Sequence, residues 1–358
     1  MVAPAAADVV GPVQRALILK TFPGFAALGS AEIATLAAIS SERRFEAGEV
    51  ILEPGRPVLA FYLIVEGEAE MFSRGVYTET FGPRTSIGGL AALTRDPGGA
   101  HAVATKDVLA LEVDTDDMED VFEDQFLVLL GVLRALSRTL IDLQRMGGGG
   151  AAVLGGSPEP SKLSGRPLTL VERMFVLRNS TSFSDAGLDA LVDLAEDMRE
   201  LRFSAGDTLW TVGDPAPFSV LVLEGSIACH PPDLPPFELG HGFYVGGLES
   251  TANEPRWYTA RAAGDVRALE LDTAAFIDVL EDHPEFAMAM MRSLAGGIAA
   301  FRDRMRERAS RPPPRTRALP EPGEQGDEAV VAGVEQDGGE EAAGAEPRPA
   351  EDEPEQSG

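Results

Sequence analysis

The stretch Phe45-Glu46-Ala47-Gly48-Glu49-Val50-Ile51-Leu52-Glu53-Pro54-Gly55 returns later in the chain as Phe203-Ser204-Ala205-Gly206-Asp207-Thr208-Leu209-Trp210-Thr211-Val212-Gly213. Both copies have an aromatic, a glycine three residues on, an aliphatic at six and a glycine at ten, and they stand 158 positions apart. The same offset carries Gly67 onto Gly225, Gly88-Gly89-Leu90 onto Gly246-Gly247-Leu248 and Pro97 onto Pro255. It also carries Asp107, Leu111, Glu112 and Asp114 onto Asp265, Leu269, Glu270 and Asp272. Identity is about 30% over roughly 70 residues without a gap, the self-similarity of a duplicated structural unit. Upstream, Phe25, Ile33 and Leu36 align with Phe183, Leu191 and Leu194; downstream, Arg134, Leu136 and Leu140 align with Arg292, Leu294 and Ile298. The duplication takes in a whole domain.

Within each unit the hydrophobic period changes twice. Ile33, Leu36 and Ala37 give a short helix. Runs such as Phe61-Tyr62-Leu63-Ile64-Val65 and Val220-Leu221-Val222-Leu223 then read as strands. Regularly spaced glycines, which reach positive φ at little steric cost, mark reversals between short antiparallel strands of a barrel or jelly roll. After Asp114 the period returns to helical through Met118, Val121, Phe122, Leu129, Leu133, Leu136, Leu140 and Leu143, and the second unit repeats it through Phe276, Val279, Leu280, Met290, Leu294, Ile298 and Phe301. The expected class is α+β, mainly β, with two jelly-roll-like β-barrels, each flanked by helices.

A length of 358 residues accommodates two such domains with some remainder. The expected organisation is an N-terminal segment 1–20, domain 1 at 21–146, a Gly/Pro/Ser linker at 147–168, domain 2 at 169–310 and a tail at 311–358. The tail is acidic and rich in Pro and Gly, with almost no large apolar residue after Leu319. That composition cannot offset the entropy of ordering and predicts disorder. With 58 Asp and Glu against 30 Lys and Arg, the net charge of −28 repels phosphate backbones and anionic membranes. The lone Cys229 excludes an internal disulfide framework and any multi-cysteine zinc site. No apolar run of about 18 residues and no signal-peptide pattern is present, so the expected location is cytoplasmic.

The repeated entry pattern resembles the cyclic nucleotide-binding domain family, over roughly residues 21–146 and 169–308. In that family the ligand sits in a phosphate-binding cassette: a strand ending in Gly-Glu-Leu, a short helical turn, then Pro-Arg and small residues. The resemblance implies backbone N–H groups and a guanidinium for the phosphate oxygens, and a carboxylate for the ribose hydroxyl. The first cassette reads Ile87-Gly88-Gly89-Leu90, with Pro97-Gly98-Gly99-Ala100 at its end. Gly89 takes the Glu position and Gly98 the Arg position, so this site is expected to be degenerate. The second reads Val245-Gly246-Gly247-Leu248, with Pro255-Arg256-Trp257-Tyr258 at its end. Arg256 stands at the phosphate-binding position, Gly247 again replaces the Glu, and Trp257 and Tyr258 replace small residues. Two readings stay open at this stage. Either Arg256 pairs with a local carboxylate such as Glu249 or Glu254 and the rings fill the pocket, or Arg256, Gly246, Gly247, Leu248, Trp257 and Tyr258 hold an anionic ligand.

His101, His230, His241 and His283 have no metal-ligand spacing, and no nucleophile elbow, phosphate loop or kinase motif occurs, so neither a metal nor enzymatic activity is expected. Arg302, Arg304, Arg306, Arg308 and Arg311 read as cations opposing a helix dipole or as a dock for an acidic surface. The leucine stripe from Leu133 to Leu143 suits packing on its own barrel, a homodimer, or pairing of the two units inside one chain. Only about 50 acidic, Pro-rich residues follow the last helix, which supplies no DNA-recognition helix. A kinase regulatory subunit shares the tandem layout, but Met1 to Lys20 holds no inhibitor-like basic motif. What remains is a regulatory or adaptor protein with an unnamed protein partner and no cofactor or membrane span. The alternative is a cyclic-nucleotide sensor using Arg256.

Overall fold

The computed structural model describes residues 10–26, 28–73, 75–94, 100–146 and 166–310. The expected tail at 311–358 and most of the expected linker lie outside the described residues, as does Gly98. The first half begins with α1 (Pro12–Leu19) and α2 (Ser30–Ile39), followed by β1 (Ser40–Phe45), β2 (Val50–Leu52), β3 (Ala60–Glu66), β4 (Ala69–Ser73), β5 (Val76–Phe81) and β6 (Ser86–Ile87). Next come α3 (Gly89–Thr94), β7 (Ala100–Ala104), β8 (Val108–Asp114), α4 (Thr115–Asp124) and α5 (Phe126–Met146). The second half repeats the order with α6 (Leu170–Asn179), α7 (Leu188–Asp197), β9 (Arg199–Phe203), β10 (Thr208–Trp210), β11 (Phe218–Glu224), β12 (Ile227–His230), β13 (Phe237–Leu239) and β14 (Tyr244–Val245). It ends with α8 (Gly247–Ala252), β15 (Thr259–Ala262), β16 (Val266–Asp272), α9 (Thr273–Asp282) and α10 (Pro284–Ser310).

Each half carries two antiparallel four-stranded sheets. They run β1-β8-β3-β6 and β2-β7-β4-β5 in the first, and β9-β16-β11-β14 and β10-β15-β12-β13 in the second. Even the irregularities recur. The ladder slips between Val50 and Leu52 and between Ile64 and Glu66, and again between Thr208 and Trp210 and between Val222 and Glu224. Gly67 and Gly225 both have positive φ, and a Cβ on either would overlap the carbonyl oxygen of Asp107 or Asp265, so both copies need glycine there. Asp114 and Asp272 cap α4 and α9 by accepting backbone N–H bonds from Asp116 and Ala274.

The barrels have separate apolar interiors, one around Ile64, Ile87 and Ala110, the other around Val220, Val222 and Ala268. The helices of both halves share a third core that includes Leu129, Leu133, Leu140, Phe183, Phe276, Phe286 and Ile298. Burial of side chains this size at about 25 cal/mol per Å² makes that shared core the main tie between the halves. The structure differs from the sequence reading at the first boundary. The expected N-terminal segment 1–20 contains α1, the counterpart of α6, and α1 packs on α2 with Leu19 buried.

Candidate functional site

In the second cassette, Gly246 takes a left-handed conformation and turns the chain from β14 into α8. Arg256 returns beneath that turn and is 1% exposed. Its Nη1 donates to the Gly246 carbonyl at 2.9 Å, its Nη2 donates to the Phe218 carbonyl, and its guanidinium lies over the Trp210 ring. The backbone of Arg256 is also tied down, by pairing with Gly213 and Asp214 at 2.8 Å each. Among the described residues no ion pair joins Arg256 to Glu249 or Glu254. Glu254 instead pairs with Arg138 at 2.8 Å. Glu249 is buried, which pushes its carboxyl above the usual carboxylate range while Arg256 acts in the opposite direction. Burial likewise lowers the Arg256 guanidinium from its ordinary value, opposed by Glu249.

Trp257 and Tyr258 are both buried and point into the barrel. Trp257 stacks on Phe237 with ring centres 6.0 Å apart, and Tyr258 meets Phe237 edge-on at 5.7 Å and Trp210 at 6.0 Å. Leu248 packs between the barrel core and the helical core. Gly247 lies under the Tyr244 ring, which a Cβ there would overlap. Tyr244 is held in turn by a hydrogen bond from the Ser219 hydroxyl, and its burial raises its phenol well above the ordinary range. A glutamate at position 247 therefore has no room.

The first cassette is built differently. Trp210, Phe218, Phe237 and Tyr244 correspond to Leu52, Ala60, Glu79 and Ser86. Among the described residues, a Cβ on Gly89 would meet only the Ser86 hydroxyl, at 3.3 Å. A cavity of about 550 Å³ lies here, lined by Leu52, Glu79, Gly88, Gly89 and Leu90 together with residues of α5 and α10. These exchanges of a non-aromatic for an aromatic residue between the copies are legible in the aligned repeat. The cassette segments alone do not carry them, because Trp210, Phe218 and Phe237 lie outside those segments.

The description "Cyclic nucleotide-binding domain" matches residues 42–125 and 200–283. Two cyclic nucleotide-binding domains stand in tandem in this chain. The cyclic nucleotide-gated potassium channel mll3241 of Mesorhizobium japonicum is 32% identical over 105 residues, 29% of this chain, and the match spans 29% of the channel's length. The regulatory domain of Toxoplasma gondii PKA with cAMP is 17% identical, over 85% of this chain and 98% of that one, at a TM-score of 0.32. A variant regulatory subunit of a cAMP-independent protein kinase A from Trypanosoma brucei, bound to cAMP, is 18% identical over 87% and 96%, also at 0.32.

The long helices of the two cyclic nucleotide-binding domains are exchanged. α5, from the first, packs on α8 of the second, and α10, from the second, packs on α3 of the first; α5 and α10 also pack on each other. Ile141 of α5 is buried in the second barrel's core, and Arg138 reaches both Glu254 and the Ala252 carbonyl. In return, Arg292 and Arg302 of α10 pair with Glu119 and Glu79 of the first domain at 3.5 and 3.4 Å. Of the basic run at 302–311, Arg302 thus serves the other domain, and Arg304 lies over Phe301. Leu133, Leu136 and Leu140 are buried in the shared core, so the leucine stripe is consumed inside the chain. His283 bonds Asp193 at 2.7 Å and His241 the Leu223 carbonyl at 2.7 Å. Among the described residues no cluster of His, Cys, Asp and Glu suits a metal ion, and no helix is long and apolar enough to cross a membrane.

Proposed function

We propose that this chain is a non-enzymatic regulatory or adaptor protein in which neither domain takes a cyclic nucleotide and whose output is contact with a protein partner. The observation that carries this reading is the placement of Arg256. Its Nη1 and Nη2 are engaged by two backbone carbonyls and its plane lies on the Trp210 face, and the volume beside it is filled by Trp257, Tyr258 and Phe237. A phosphate at Arg256 would have to displace both of these bonds, and a hydrogen bond from a charged donor is worth about 1.5–3 kcal/mol. The first domain has neither the carboxylate nor the guanidinium in its sequence, with glycine at 89 and 98. A sensor acting through Arg256 requires the rings to leave the second barrel.

A thermal-shift titration with cyclic AMP, cyclic GMP and cyclic dinucleotides tests the proposal, because a ligand at about 100 times its Kd stabilises by about 2.7 kcal/mol. No shift is expected with any of them. A saturable rise in Tm that disappears in Arg256→Ala would establish the sensor instead.

A further inference from the structure

We infer that the first domain binds an uncharged, largely apolar small molecule in the cavity between α3, strands β4 and β5, and α10. The inference deepens the proposed function and rests on its reading that the first cassette has lost the nucleotide. At about 550 Å³ the cavity falls within the range of small-molecule sites. It lies where the second domain places rings. Leu52 and Glu79, which line it, are the counterparts of Trp210 and Phe237, and Ser86 is the counterpart of Tyr244. At these three positions the duplicated barrel carries aromatic side chains in one copy and none in the other.

The lining decides the ligand class. Phe72, Phe81, Leu90, Met291 and Ile298 supply apolar walls from both domains. The cations that reach it, Arg292 and Arg302, are each paired with a carboxylate, Glu119 and Glu79, which also lines it. Asp303 lines it as well, so an anion entering here meets three carboxylates against two guanidinium groups and gains no net attraction. The lining threonines are also spent. Thr78 donates to the Met71 carbonyl at 2.9 Å, Thr94 to Leu90 at 2.9 Å, Thr115 to Val58 at 3.3 Å and Thr139 to Ala135 at 2.9 Å. Among the lining side chains apolar contact predominates and each guanidinium faces a carboxylate, whereas a phosphate needs unopposed positive charge. Because α10 belongs to the second domain, an occupant touches both domains.

Fluorescence titration of the full chain with N-phenyl-1-naphthylamine, an uncharged apolar dye, tests the inference. Saturable binding of one dye per chain is expected, unaffected by cyclic AMP in excess. Leu52→Trp, which installs the second domain's residue, should weaken it at least about tenfold. Ala135→Leu narrows the same cavity from α5 and gives the answer if Leu52→Trp fails to fold; a thermal melt of each variant checks folding. Absence of saturable binding, or undiminished affinity in folded variants, overturns the inference and leaves the proposed function standing. Dye binding that cyclic AMP displaces overturns both.

Discussion

The Arg256 guanidinium lies 4.0 Å from the centre of the Trp210 ring, and the partners are brought together by strands far apart in the chain. This is a cation–π contact in a desolvated setting, worth about 2 kcal/mol. It turns the residue that would mark a ligand site into a structural tie between β10, the start of β11 and the cassette turn.

Arg256→Ala is therefore expected to destabilise the protein in the absence of any ligand. Losing the two bonds from the charged guanidinium to the Gly246 and Phe218 carbonyls, together with its contact on Trp210, should cost about 2–4 kcal/mol. Urea unfolding of the variant beside the unsubstituted chain measures it. An arginine held for a ligand would be removed with little loss of stability.

Restoring the missing carboxylate should have opposite outcomes in the two copies. At Gly247 a side chain runs into the Tyr244 ring, whereas at Gly89 the nearest group is the Ser86 hydroxyl at 3.3 Å. Gly247→Glu should lower stability by several kcal/mol and Gly89→Glu by about 1 kcal/mol or less. Thermal melts of the two variants decide it, and equal effects would contradict the packing described.

The exchanged helices give a third expectation. Arg138 and Glu254 are roughly half exposed, so Arg138→Ala should cost under about 1 kcal/mol. Ile141→Ala removes a side chain buried in the opposite barrel and should cost about 2–4 kcal/mol, read by chemical denaturation. If α5 did not enter the second domain, the Ile141 variant would be nearly silent.

Acid should weaken the second domain through Glu200. Its carboxyl is held below the ordinary value of 4.5, chiefly by hydrogen bonds from the buried Arg267 at 2.7 and 3.0 Å. As pH falls through about 4.5 the unfolded chain takes up this proton before the folded one does. The stability Glu200 supplies is thus present above that pH and lost as pH drops through its lowered folded value. Glu200→Gln should cost about 3 kcal/mol at neutral pH and flatten the acid limb of stability against pH. Urea midpoints between pH 7 and pH 3 supply the comparison.

The repeat made the fold legible. Phe45, Gly48 and Gly67 recur because the same turns and close approaches recur, and local sequence carries that information. The cassettes were half legible. Arg256, Trp257 and Tyr258 are consecutive, so their presence was plain. What surrounds them comes from Trp210, Phe218 and Phe237, whose meeting with the cassette is fixed by sheet pairing. The carboxylates named as partners for Arg256 are near in sequence, but its Nη1 and Nη2 donate to backbone carbonyls instead. Helical periodicity showed that Leu133 to Leu143 forms an apolar face. It could not show that Ile141, beside that face, enters the other barrel, because periodicity says which side is buried and not against what.

Isothermal titration of the full chain with cyclic AMP and cyclic GMP, run beside Arg256→Ala and the double variant Trp257→Ala with Tyr258→Ala, tests the central claim most directly. The unsubstituted chain and Arg256→Ala should both give no binding heat, since the guanidinium and the barrel volume are already occupied. Recovery of affinity in the double variant would identify the two rings as the plug. Nucleotide binding by the unsubstituted chain at micromolar Kd or tighter, abolished by Arg256→Ala, would contradict the account.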